Sequence, residues 1–266
     1  MQGSPARLTF LGTATTILEL GRFTLLTDPN FLHRGQRAYL GRGLWSRRLT
    51  DPSMTIGELP DLDAVLLSHL HGDHFDRIAR RGLTRDAPII TTPKAARRLR
   101  RYDFTTVGLP TWAEHTLDRG EEQLLLRSTP AVHARGLLGR LLPPVMGTLI
   151  EHKVDGVVVH RLHISGDTLT GAHVDEIAER SAEIGTAVVH LGGTRILGQT
   201  VTMDGAQGVD YLRRLRPRAA VPVHYDDYGV FVSPLSDFLS AAEHALASHV
   251  VIRTVHRGET INLDEQ

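Results

Sequence analysis

Apolar positions in this chain form short β-type runs up to about residue 63, then alternating strand and helix patterns. Residues 7–11, 15–20 and 22–27 are rich in aliphatic and β-branched side chains. Gly12 and Gly21 separate them, the second placed for a hairpin turn. Asp28-Pro29-Asn30 breaks the pattern and opens a stretch, residues 31–53, without clear periodicity. Connections that long are uncommon inside compact domains and serve as lids or binding loops. Residues 64–67 are wholly apolar, as expected of a strand covered on both faces. Further strands are predicted at 88–92, 124–126, 146–151, 157–164, 187–191 and 219–223. Helices are predicted from Pro93, over 173–182 and over 206–215. Ser233-Pro234 starts a last helix reaching about residue 247, with a strand pair at 250–254 and 260–263 behind it. This order allows two sheets in contact with helices outside, while periodicity alone leaves the topology open.

Composition narrows the picture. The length of 266 residues suits one domain over 1–266. An apolar share of 41 % with 23 % charged residues excludes a disordered chain. Thirty basic residues balance thirty acidic ones, so no nucleic-acid partner is expected. No apolar run approaches the roughly 20 residues of a membrane span. The first ten residues lack a secretory pattern, and a cytoplasmic location is the expectation. Cysteine is absent, which removes disulfides, thiolate metal sites and cysteine nucleophiles. Histidine, the commonest metal ligand, occurs fifteen times. Residues 31–53 also carry Arg34, Arg37, Arg42, Arg47 and Arg48. The simplest reading of that run is a solvated face, with a phosphate- or headgroup-binding lid as the alternative. The cluster from Lys94 to Arg101 reads as an ordinary charged helix face.

The densest chemistry is His69-Leu70-His71-Gly72-Asp73-His74, directly behind the buried run 64–67. Three imidazoles and a carboxylate on one turn converge only around something, and a divalent cation accepts that donor set. His69 and His71 share a face if the backbone is locally extended. Gly72, through its freedom at positive φ, would let the chain turn and present Asp73 and His74. His133, Asp167 (after Gly166) and His224 each follow an apolar strand pattern. Together these are seven donors, enough for two adjacent metals sharing a carboxylate.

These residues resemble the metallo-β-lactamase superfamily: His69, His71, Asp73 and His74 match its HxHxDH motif in full, and the later candidates follow in family order. Residues 11–15, 26–29, 56–60 and 63–69 are similar to the branch containing N-acyl-phosphatidylethanolamine-hydrolysing phospholipase D. Residues 221–225 are similar to the L-ascorbate-6-phosphate lactonase branch. The resemblance implies an α/β fold of four layers, the αββα sandwich, with two mixed sheets, helices outside and metals at one edge. It implies one ion on His69, His71 and His133, a second on Asp73, His74 and His224, and Asp167 between them. Zinc is the first candidate, with manganese or iron as alternatives. The implied activity is hydrolysis of a phosphodiester or lactone (ester) bond by a metal-bridging hydroxide, on a small or amphipathic substrate. Asp73 would orient the attacking water. Tyr225, Asp226, Tyr228 and His190 are candidates for protonating the leaving group by nearness in sequence.

Two alternatives accompany this reading: a di-iron redox enzyme on the same fold, and a non-catalytic metal-binding sensor. A homo-oligomer is compatible with all three. His152, His160 and His163 fall on predicted strands and read as surface or satisfied core residues. His115, His173, His244, His249 and His256 are given no role.

Overall fold

The computed structural model describes residues 5–41, 43–196, 198–246 and 249–264. Strands β1 (Ala6–Gly12), β2 (Thr15–Leu20) and β3 (Phe23–Thr27) form an antiparallel meander. A small hairpin, β4 (Arg37–Gly41) and β5 (Leu44–Arg47), stands apart from it. β6 (Ala64–Leu67), β7 (Ile89–Thr91) and β8 (Thr106–Gly108) then add in parallel, with α1 (Arg77–Gly82) and α2 (Pro93–Leu99) as crossovers. β9 (Glu114–Arg119), β10 (Glu122–Pro130), β11 (Met146–Val154) and β12 (Val157–Ile164) build a second antiparallel meander, with α3 (Gly136–Leu141) between β10 and β11.

After α4 (Ala172–Arg180), β13 (Thr186–His190) pairs in parallel with β12. A short ribbon, β14 (Arg195–Ile196) with β15 (Gln199–Thr200), and α5 (Gly205–Leu215) lead to β16 (Ala219–Val223). α6 (Leu235–Leu246) leads to β17 (Val251–Ile252), and β18 (Thr260–Asn262) returns antiparallel onto β1. The sheet orders are β18-β1-β2-β3-β6-β7-β8 and β17-β16-β13-β12-β11-β10-β9.

Side-chain alternation along the strands makes the layers. In β6, Ala64 and Leu66 enter the core between the sheets, while Val65 and Leu67 enter the core under α1 and α2. In β13, Val188 faces the other sheet, while Ala187 and Val189 face α5 and α6. Strands covered on both faces therefore read as continuous apolar runs. The result is the expected αββα order.

Two local expectations are corrected. Residues 31–53 are not without regular structure, because they hold the β4–β5 hairpin: β4 buries Ala38 and Leu40 in alternation, but exposed Tyr39, Leu44 and Trp45 mask that period in the sequence. The two last strands are not a pair: β17 joins β16 in one sheet and β18 joins β1 in the other. Among the described residues no helix is long and apolar enough to cross a membrane.

Candidate metal centre

The HxHxDH turn lies at the C-terminal end of β6 and is held from three sides. Asp28, in the turn after β3, accepts from the Ser68 N–H at 2.7 Å. Asp76 ends the turn as the N-cap of α1, accepting from the N–H groups of Ile78 and Ala79 at 2.7 and 2.8 Å. Its other oxygen accepts from the N–H groups of Phe31 and Leu32 at 2.5 and 2.7 Å, which pins the chain entering the hairpin. Gly72 donates its N–H to the Tyr39 carbonyl at 2.9 Å, and a Cβ there would stand 2.7 Å from the Tyr39 backbone. Close approach of two backbones, rather than the expected positive φ, is what requires this glycine.

The second sheet supplies the remaining donors from its strand ends. His133 follows β10. Asp167 follows β12 across Gly166, which has φ +61° and a Cβ position 2.7 Å from the Met146 carbonyl. His224 follows β16 with φ +65°, and its N–H donates to the Thr13 carbonyl at 2.7 Å.

The structure brings all seven predicted donors together. The ligand-type atoms of His69, His71 and His133 lie within 4.8 Å of one another, as do those of Asp73, His74 and His224, and those of His69, His74 and Asp167. His69 Nε2 is 2.9 Å and His133 Nε2 3.4 Å from His71 Nδ1. His133 Nδ1 donates to the Val201 carbonyl at 2.8 Å and His224 Nδ1 to the Leu191 carbonyl at 3.0 Å, so each keeps an Nε2 lone pair aimed inward. Among the seven donors, Asp73 Oδ1, His74 Nε2 and His224 Nε2 are buried and without hydrogen-bond partners. Converging lone pairs with nothing to accept from are costly unless a cation sits among them. The donor set therefore fits a divalent metal of nitrogen and oxygen preference.

Electrostatics sort the imidazoles into two groups. Burial drives His69 well below the usual histidine range, lowers His133, and brings His71 down to about 3. Burial thus favours in all three the neutral form, the one that ligates. Burial opposes charge on His74 and His224 too, but Asp167 and Asp73 beside them outweigh it and raise both. Asp167, despite its burial, is held well below the carboxylate range by His224 and His74.

Several groups around the donors were not legible in the sequence. Asp28 Oδ2 lies 3.2 Å from His74 Nδ1, a carboxylate against the back of a candidate ligand. Asp167 is gripped by Thr202, whose hydroxyl donates at 3.0 Å, and by His190 Nδ1 at 3.2 Å. Asp28 reads in sequence only as the start of a chain break. His190, named as a candidate proton donor, is fully buried and hydrogen-bonded to the candidate ligand Asp167.

Arg48 is not on a solvated face. It is completely buried, donating to the Asn30 carbonyl at 2.9 Å and to Asn30 Oδ1, with Asp227 Oδ1 3.5 Å away. Tyr228, also buried, donates its hydroxyl to Asn30 Oδ1 at 2.9 Å. Tyr225 packs against the core under α5 and α6, and burial pushes its phenol up to about 12. Asp226 pairs with Arg257. His163 is a satisfied core residue, bonded to Thr129 and Tyr211, and His152 is a buried one that pairs with Glu122 through Nε2. His160 pairs with Asp264.

Fold and site together define a metallo-β-lactamase-type protein. The family described as "Beta-lactamase superfamily domain" matches residues 24–225, and the chain belongs to it. A UPF0173 metal-dependent hydrolase of Nanoarchaeum equitans is 26 % identical over 220 residues, covering 82 % of this chain and 93 % of that protein. Among solved structures, an isothiocyanate hydrolase from Delia radicum gut bacteria superposes with a TM-score of 0.79 at 22 % identity, covering 96 % of this chain and 98 % of that one. A protein described as a possible metal-dependent hydrolase from Veillonella parvula gives 0.80 at 20 % identity, covering 97 % and 99 %. These two share the fold.

Proposed function

We propose that this chain is a metal-dependent hydrolase with a dinuclear centre, acting on a phosphodiester or a lactone or other ester. The observation that carries the reading is the set of buried, unpartnered imidazole and carboxylate atoms converging from both sheets. His69, His71 and His133 would hold one ion, Asp73, His74 and His224 the other, and Asp167 both. Two divalent ions of this kind, zinc first, make water acidic near neutral pH and polarise a carbonyl or phosphoryl oxygen.

The protein's own groups do the rest. Asp73 keeps Oδ1 free of hydrogen bonds, so this oxygen can orient a water molecule and accept its proton. Asp28 steadies His74, while Thr202 and His190 steady Asp167. The tyrosines carry no proton in this scheme: Tyr228 is committed to Asn30, and Tyr225 belongs to the outer core. Residues 1–266 act as one domain in the cytoplasm.

The test combines turnover with metal content. Metal-replete protein should turn over bis(p-nitrophenyl) phosphate or an aryl lactone, and turnover of neither refutes the proposed substrate class. Asp167→Ala should lose both metals and all turnover, whereas His133→Ala should empty one site first. Full, equal metal retention in both variants refutes the assignment. Iron in natively expressed protein with substrate-dependent oxygen uptake would favour the redox alternative.

A further inference from the structure

A cavity of about 380 Å³ opens beside His71, between the β4–β5 hairpin, α1, α2 and the chain following α3. Its walls are apolar, with Tyr39, Trp45, Leu70, Phe75 and Pro143 among them. Tyr39 and Trp45 meet in a tilted contact, 4.9 Å between ring centroids and 51° between planes, yet remain 43 % and 59 % exposed. Aromatic surface kept in water at the mouth of a cleft marks a place where an apolar body docks.

The same cavity carries a surplus of positive charge. Arg37, Arg77, Arg80, Lys94 and Arg98 line it, drawn from β4, α1 and α2. The one carboxylate among the lining residues, Asp76, already accepts four backbone N–H groups. Among the described residues none of these cations pairs with a carboxylate: Arg77 donates to the Arg37 carbonyl, and Arg80 lies over the Tyr102 ring at 4.8 Å. Cations gathered around a low-dielectric cleft repel one another and concentrate anions there.

We infer that this cavity selects an anionic substrate with an apolar, preferably aromatic, body: the body lies between Trp45 and Phe75, and the carboxylate, sulfonate or phosphate faces the Lys94 and Arg98 rim. Only the statement that the bound anion is a substrate rests on the hydrolase reading; the binding itself does not.

The experiment uses a matched pair of dyes on the full-length protein with and without added zinc. 8-Anilino-1-naphthalenesulfonate carries the charge, and N-phenyl-1-naphthylamine is its uncharged analogue. The sulfonate should bind about tenfold more tightly at low salt, an advantage that shrinks as ionic strength rises. Lys94→Gln combined with Arg98→Gln, both exposed positions, should remove most of that advantage and leave the neutral dye within about twofold. Trp45→Ala should weaken both dyes alike. Equal affinity of the two dyes for the unaltered protein overturns the proposal, as does an unchanged preference in the double variant. Dye preference in a protein that turns over no substrate refutes the hydrolase reading alone. Turnover of neutral esters without dye preference refutes the anion site alone.

Discussion

Arg48→Met should destabilise the protein by about 3 kcal/mol and loosen the HxHxDH turn at the same time. The guanidinium is completely buried and makes two hydrogen bonds to Asn30, one to the carbonyl at 2.9 Å and one to Oδ1. Charge-assisted bonds of this kind contribute about 1.5–3 kcal/mol each, and methionine fills much of the vacated length without replacing them. Asp227 is not orphaned, because Arg257 at 3.2 Å, Thr50 and the Thr13 N–H at 2.6 Å remain on it. That keeps the loss at the lower end of the roughly 3–5 kcal/mol expected for a broken buried pair. The effect reaches the metal loop because Asn30 also donates its side-chain amide to the Gly72 carbonyl at 2.9 Å. Urea unfolding of the parent, Arg48→Met, Asp227→Asn and the double variant gives the coupling directly. Zinc content of each protein reports on the loop. A loss under about 1 kcal/mol with unchanged zinc would refute the reasoning and reduce Arg48 to packing.

Three further outcomes are expected. Gly72→Ala should cost about 1–3 kcal/mol and lower metal content, since its Cβ would meet the Tyr39 backbone at 2.7 Å; wild-type values for both would remove the close-approach argument. Burial brings the His163 pKa down to about 3 from the usual 6.5, so the unfolded chain binds a proton that the folded one refuses between those values. Its contribution is fully present above pH 6.5 and is lost as pH falls toward 3, at up to about 1.4 kcal/mol per pH unit, so His163→Gln should flatten the acid limb of stability against pH; parallel limbs would contradict this. Asp76→Asn should unpin residues 31 and 32 along with the first turn of α1, lowering stability by about 1–3 kcal/mol in the same urea assay; no change would show that the four N–H bonds are readily replaced by water.

What the chain announces in advance follows from how strongly each feature constrains residue type. Strands covered on both faces, such as 64–67 and 219–223, must be apolar throughout and stand out. Metal-type donors at strand ends must be histidine or aspartate, so His133, Asp167 and His224 could be found from residue type and preceding strand alone. Residues acting through hydrogen bonds to those donors carry no such mark. Asp28 looks like any turn aspartate, and the burial of Arg48 depends on Asn30 and Asp227, one of them far away in sequence. Pairing partners are equally hidden: nothing in 250–254 or 260–263 says that the two strands belong to different sheets. The hairpin at 37–47 escaped because its exposed aromatics face a cleft rather than a core.

The donors divide unevenly between the halves of the sandwich: His69, His71, Asp73 and His74 belong to the first sheet, and His133, Asp167 and His224 to the second. In the proposed assignment each ion would draw two donors from the first sheet and one from the second, with Asp167 of the second shared. A cation so held would work as a clasp at one rim, coupling ion affinity to the cohesion of the two halves, and stripping it would loosen the seam beside the candidate metal centre.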